Sequence, residues 1–115
     1  MATLIRELGA LEALHEQFGF TYGELAKALN TSESTVHRWR AQQTEPTPVY
    51  MARLEALGAF LRELMSLFKD RNDASRWIRE KMPALKGKSP QDLILAGHVD
   101  RVTGVLYAMN AGIPT

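Results

Sequence analysis

The chain offers little for bond-making chemistry. Its three histidines, His15, His37 and His98, lie far apart in sequence, and none has a second potential ligand at the close spacing a metal site uses. Cysteine is absent, which removes thiolate nucleophiles, disulfide frameworks and every Cys-containing zinc site, and is compatible with a reducing cytoplasm. Gly87 stands between Lys86 and Lys88, but the rest of a phosphate-cradling P-loop is missing. The carboxylate pair Glu12 and Glu16 falls on what reads as the solvated face of an amphipathic helix. No nucleophile, base and orienting partner come together. The expectation is a non-catalytic protein with no metal and no cofactor.

Whatever these side chains do, helices must position them. Apolar residues recur at helical rather than alternating spacing, starting with Leu4, Leu8, Leu11 and Phe18 behind Thr3 as N-cap, and Gly19 ends that run. Thr21 and Glu24 have capping-box spacing, in which the hydroxyl accepts from a free backbone N–H and the carboxylate reaches back. Leu25, Ala26 and Leu29 supply the buried side of this second helix. Asn30 tolerates a left-handed turn, and Ser32 caps a third helix with Val36 and Trp39 turned inward. After a loop over 43–48, Thr47 as N-cap and Pro48 at the first helical position open a long helix. Its Leu54, Leu57, Leu61, Leu64 and Phe68 form a stripe suited to the first three helices, the C-terminal half or a second copy of the chain. Asp73 is expected to start a short helix carrying Trp77 and Ile78, which cannot run past Pro83. Ser89, Pro90 and Asp92 open a brief helix stopped by Gly97, and Val99, Val102, Val105, Leu106 and Met109 mark a last one ended by Gly112. Ile113, Pro114 and Thr115 follow as a short tail. The predicted architecture is all-α, about seven helices in two halves.

The stretch from Phe20 to Trp39, F-T-Y-G-E-L-A-K-A-L-N-T-S-E-S-T-V-H-R-W, is a capped helix, a tight turn and a second capped helix. It resembles the Xre-type helix-turn-helix. In such a unit the second helix lies in the major groove with its first residues at base edges. The resemblance therefore implies that Glu33, Ser34, Thr35, His37 and Arg38 face DNA, Arg38 able to grip a guanine, with Arg40, Gln42 and Gln43 near phosphates. The plainer alternative is a helix pair that only builds the fold.

From Trp77 onward the residues Pro83-Ala84-Leu85, Gly87, Ser89-Pro90, Asp92-Leu93, Gly97, Arg101-Val102, Leu106, Met109 and Gly112 form an ordered set. This set is similar to the toxin-binding domain of the Xre/MbcA/ParS antitoxin family, and with the N-terminal half the likeness spans about residues 18–112. The resemblance implies an antitoxin that binds and silences a RES-domain toxin, an enzyme that destroys NAD by phosphorolysis or hydrolysis. It further implies that the last helix and tail occlude the toxin's substrate entrance, placing Arg101, Tyr107, Asn110, Gly112, Ile113, Pro114 and Thr115 at the toxin pocket. Read without the resemblance, the tail is a frayed terminus first and an apolar tip able to enter a concave site second. Trp77 is a core anchor or an interface aromatic.

At 115 residues, 45% of them hydrophobic and with a net charge of +1, the chain suits one domain or two small ones sharing a core, and large enzyme folds are excluded. No stretch is long and apolar enough for a membrane span, and no basic segment with an apolar run opens the chain, so it reads as soluble, unprocessed and cytoplasmic. The small net charge hides a split. Residues 1–57 hold five bases to seven acids, whereas 58–115 hold nine bases to six acids, seven of those nine between Lys69 and Lys88. That basic run complements an acidic partner or is an ordinary solvated face. We expect a helix-turn-helix unit over 1–57 and a toxin-binding unit over 58–115, acting as an antitoxin that also autorepresses its operon, as a homodimer or a hetero-oligomer with the toxin. The alternative is a stand-alone dimeric helix-turn-helix repressor. Toxin binding ranks before operator DNA, because the unit meant for DNA is the acidic one.

Overall fold

Short polar signals decide where this chain's helices begin and end. In the computed structural model, which describes residues 2–112, seven α-helices follow one another among the described residues. They are α1 (Ala2–Phe18), α2 (Tyr22–Leu29), α3 (Glu33–Arg40), α4 (Pro48–Leu67), α5 (Arg71–Arg79), α6 (Pro90–Leu95) and α7 (Val99–Asn110), with a single 3-10 turn at Pro83–Leu85. The all-α expectation holds, and among the described residues the one β-type pairing is an isolated bridge between Met82 and Lys88.

The capping box of α2 forms as read: Thr21 Oγ1 accepts from Glu24 N at 3.0 Å and Glu24 Oε1 accepts from Thr21 N at 2.9 Å. Asn30 closes α2 at φ 58°, and Ser32 then accepts from Thr35 N at 3.1 Å to start α3. These local devices leave two residues, Thr31 and Ser32, between the end of the first cap and the next helix. Two expectations need correction, and a third holds only for the backbone. Thr3 is not the cap of α1, which begins ahead of it at Ala2. Thr47 is the N-cap of α4 as expected and its carbonyl accepts the first helical bond from Met51 N, but its side chain makes no cap bond. Asp73 does not start α5: Asp70 does, its carboxylate accepting from Asn72 N at 2.7 Å, so Asp73 sits in the first turn.

The stripe on α4 meets both of its intrachain candidates at once. α4 packs along α1 on one side and α7 on the other, burying Leu54, Leu57, Phe60 and Leu64 against Leu11, Leu14, Val102 and Leu106 in one continuous cluster. Trp77 belongs to that cluster, 8% exposed and with its ring 5.9 Å from Phe68, which makes it a core anchor. Polar ties run alongside. Glu24 spends its second oxygen on Gln91 of α6 at 3.2 Å. Arg53 of α4 donates to the Leu29 carbonyl at 3.0 Å and Tyr50 to the Asn30 carbonyl at 3.2 Å, satisfying acceptors that α2 leaves open at its end. Arg79 of α5 does the same for α1, donating to the Phe18 carbonyl at 2.7 Å. The radius of gyration is 13.9 Å, close to the roughly 13 Å of one compact body of this length.

Candidate functional site

Two surfaces collect the expected site residues. On α3, Glu33, Ser34, His37 and Arg38 are exposed while Val36 and Trp39 are buried, because an eight-residue helix braced on one side by Val36 and Trp39 turns the other outward. Thr35 is half-buried and organises its neighbours: its hydroxyl meets Ser32 Oγ at 2.8 Å and accepts from Arg38 at 3.1 Å. Arg38 is thus held one turn along the open face. Gln42 and Gln43 follow in the exposed turn after α3, Gln42 at φ 58°.

Arg40 does not extend toward solvent with them. It donates to Glu12 of α1 and lies over the ring of Tyr22 of α2, 4.1 Å from its centroid, and Tyr22 itself donates to both oxygens of Glu12 at 2.9 and 3.0 Å. Glu12 is therefore half-buried and paired rather than freely solvated. Its carboxyl is held below the usual carboxylate range, chiefly by the hydrogen bond from Arg40, and Tyr22 is pushed above the ordinary phenol range by burial and by its bond to that carboxylate. Two histidines flank the same tyrosine. His15 stacks on it with ring centroids 4.0 Å apart and His37 meets it edge-on at 5.1 Å. They are not arranged for a metal, and no group of three potential ligands exists among the described residues. Periodicity could place Glu12, Tyr22 and Arg40 on their own helices but gave no sign that the three would meet.

On the opposite half, α7 exposes Arg101 and Tyr107, the latter 63% accessible. Asn110 is exposed but tied sideways to α4, its amide donating to Ser66 at 3.2 Å and Glu63 at 3.4 Å. It anchors the end of α7. Gly112 is left-handed at φ 71°, and Ile113, Pro114 and Thr115 lie outside the described residues. Of the basic run, Arg76 pairs with Asp73, Lys81 with Asp92 at 3.8 Å, and Arg79 is spent on α1. Among the described residues Lys69, Arg71, Lys86 and Lys88 have no acidic partner within 4.0 Å. A groove of about 670 Å³ between α2, α4 and the turn before α7 is lined by Lys27, Arg53, Leu57, Ala96 and Asp100, and it touches none of the residues expected to bind DNA or toxin.

A helix-turn-helix fused through a shared helix to a small helical half defines a class. Residues 6–59 match the antitoxin Xre-like helix-turn-helix domain, and residues 63–112 match the antitoxin Xre/MbcA/ParS C-terminal toxin-binding domain. The chain belongs to the Xre/MbcA/ParS antitoxin family. It is similar to the mycobacterial cidal antitoxin MbcA of Mycobacterium tuberculosis and of Mycobacterium bovis, 30% identical over 98 residues that cover 85% of this chain and 86% of each relative. It also superposes on a chain from the crystal structure of the M. tuberculosis MbcT-MbcA toxin-antitoxin complex. That match has a TM-score of 0.68 at 27% identity and covers 94% of this chain and 96% of the other. No helix of the described residues is long and apolar enough to cross a membrane.

Proposed function

We propose that this protein is a non-catalytic antitoxin that binds a RES-domain toxin and closes the entrance to its NAD-degrading site with the C-terminal half. The observation that carries the reading is the match of residues 63–112 to the toxin-binding domain, supported by likeness along nearly the whole chain to a member of a toxin-antitoxin complex. Arg101 and Tyr107 stand exposed on α7, and an exposed tyrosine brings a large, stiff contact surface at low entropic cost. Asn110 supports the site by fixing where α7 ends. Ile113 and Pro114, the apolar residues that follow Gly112 in sequence, are the ones assigned to a concave toxin pocket. The test is inhibition of the co-expressed toxin's NAD consumption. Removal of Gly112 to Thr115 should restore toxin activity with helical content and thermal midpoint unchanged. Full inhibition by the shortened chain would refute occlusion by the tail.

The same chain is proposed to repress its own operon through the open face of α3. Support comes from the Xre-like match over 6–59 and from the exposure of Glu33, Ser34, His37 and Arg38. Arg38→Ala should weaken operator binding by about tenfold, the size of one lost guanine contact, and leave toxin binding unaltered. Failure of the wild type to shift operator DNA at low salt would remove this role and leave the toxin-binding reading intact.

A further inference from the structure

The face of α3 is set from outside α3. The Arg40 guanidinium is a donor only, and its Nη1 lies 3.1 Å from His37 Nδ1. Nδ1 must therefore be the acceptor, which leaves the ring proton of His37 on Nε2. Nε2 in turn lies 3.5 Å from Glu33 Oε1, one helical turn back on the exposed face. Arg40 has no freedom to choose otherwise: Glu12 of α1 takes its Nε hydrogen and the Tyr22 ring of α2 lies beneath it. His15, on the other face of Tyr22, has the opposite constraint, since its Nδ1 is 2.7 Å from the Phe20 carbonyl, an acceptor only, and must carry the hydrogen. The two histidines beside one tyrosine are fixed in opposite tautomers.

We propose that Glu12 and Tyr22 are positioning residues for recognition: through Arg40 they fix His37 as an Nε2–H donor beside the Glu33 carboxylate, and this donor–acceptor pair reads one C·G base pair. The inference rests on the DNA-reading role given above. The chemistry matches the major-groove edge of that pair, where guanine O6 and N7 accept and the cytosine amino group donates to a carboxylate. Glu33 and His37 occupy the first residue and the second turn of α3, the part of a recognition helix that reaches base edges. The acidic residue at the head of α3, unfavourable beside a phosphate, is in this arrangement a base-reading group.

Two measurements test this. Nitrogen-15 spectra of the imidazoles of the free protein, at a pH where the rings are neutral, should show His37 protonated at Nε2 and His15 at Nδ1. Arg40→Ala should turn His37 into a tautomer mixture without altering His15, and Arg40→Lys, still a donor, should restore the Nε2–H form in part. A hydrogen on Nδ1 of wild-type His37 would overturn the inference while leaving the DNA role standing. Selection from randomised duplexes should then show one C·G position whose preference falls about tenfold in both His37→Ala and Glu33→Gln, with Arg38→Ala relaxing a different position. If the wild type selects sites and these two variants leave every preference intact, or the shared position is not C·G, the base-reading assignment is wrong. If the wild type binds no duplex at all, the DNA role itself falls and the assignment with it.

Discussion

Glu12 shows how one side chain can be misplaced by sequence and then explained by chemistry. Seventeen residues of amphipathic helix put it on the polar side, but its partners lie 10 and 28 positions away, a separation that periodicity does not encode. Because the folded protein holds this carboxyl low, its stabilisation is complete above the unfolded value of about 4.3 and is lost as pH falls through the depressed folded value. Glu12→Gln should cost about 0.5–1 kcal/mol near neutrality and flatten the loss of stability as pH falls below about 5, measured by urea unfolding. Some acid sensitivity should persist through Asp92, held low chiefly by the Ser89 backbone N–H. A second carboxylate, Glu7, is 1% exposed with Oε2 lacking a hydrogen-bond partner among the described residues, and it lies directly on Gly58 of α4: a Cβ there would run into that oxygen. Arg6 and Arg62 hold the other oxygen at 3.2 and 3.9 Å, which limits how far the carboxylate can retreat. Gly58→Ala should therefore destabilise by about 1–3 kcal/mol through overpacking. In a Glu7→Ala background the same change should stabilise by about 1 kcal/mol, the helix propensity of alanine over glycine. Thermal unfolding of the four chains would reveal the reversal of sign.

Among the elements, those governed by neighbours within four residues were the legible ones. Thr21 with Glu24, Ser32, and Ser89 with Asp92 all cap as read, because each device closes on itself before any tertiary contact is made. The start of α5 was misread where two aspartates competed. Asp70 and Asp73 are both good first-turn residues, and the structure uses the earlier as the cap, so that Ala74, Trp77 and Ile78 are buried on one face. What no local signal carried was the cross-element completion of helix ends, by Arg79 for α1 and by Arg53 and Tyr50 for α2. The exposed face of α3 and the buried face of α7 could be read from sequence, whereas the ties of Arg40 to α1 and of Asn110 to α4 could not. At this scale Ser89→Ala should remove the hydroxyl bond to Asp92 N at 3.1 Å and lower stability by about 1 kcal/mol, measured by urea denaturation.

For the molecule as a whole, the boundary drawn between 57 and 58 falls inside α4, and the two family matches, 6–59 and 63–112, meet on that same helix. One cluster of buried residues runs from Leu4 to Leu106, so both halves should unfold together. Incorporating 5-fluorotryptophan gives one reporter in each half, Trp39 and Trp77, and their native fluorine signals should vanish at the same urea concentration. Separate midpoints would mean two cooperative units. A shared α4 also bears on how such proteins can change over generations. A helix advances about 100° per residue, so a single inserted residue near the junction would swing everything downstream around the axis and out of register with α1. Insertions of a near-whole number of turns, or exchanges that carry α4 intact, are the ones that preserve both faces. A lineage is therefore free to exchange one half of the chain against the other only through cuts that respect the phase of this one helix.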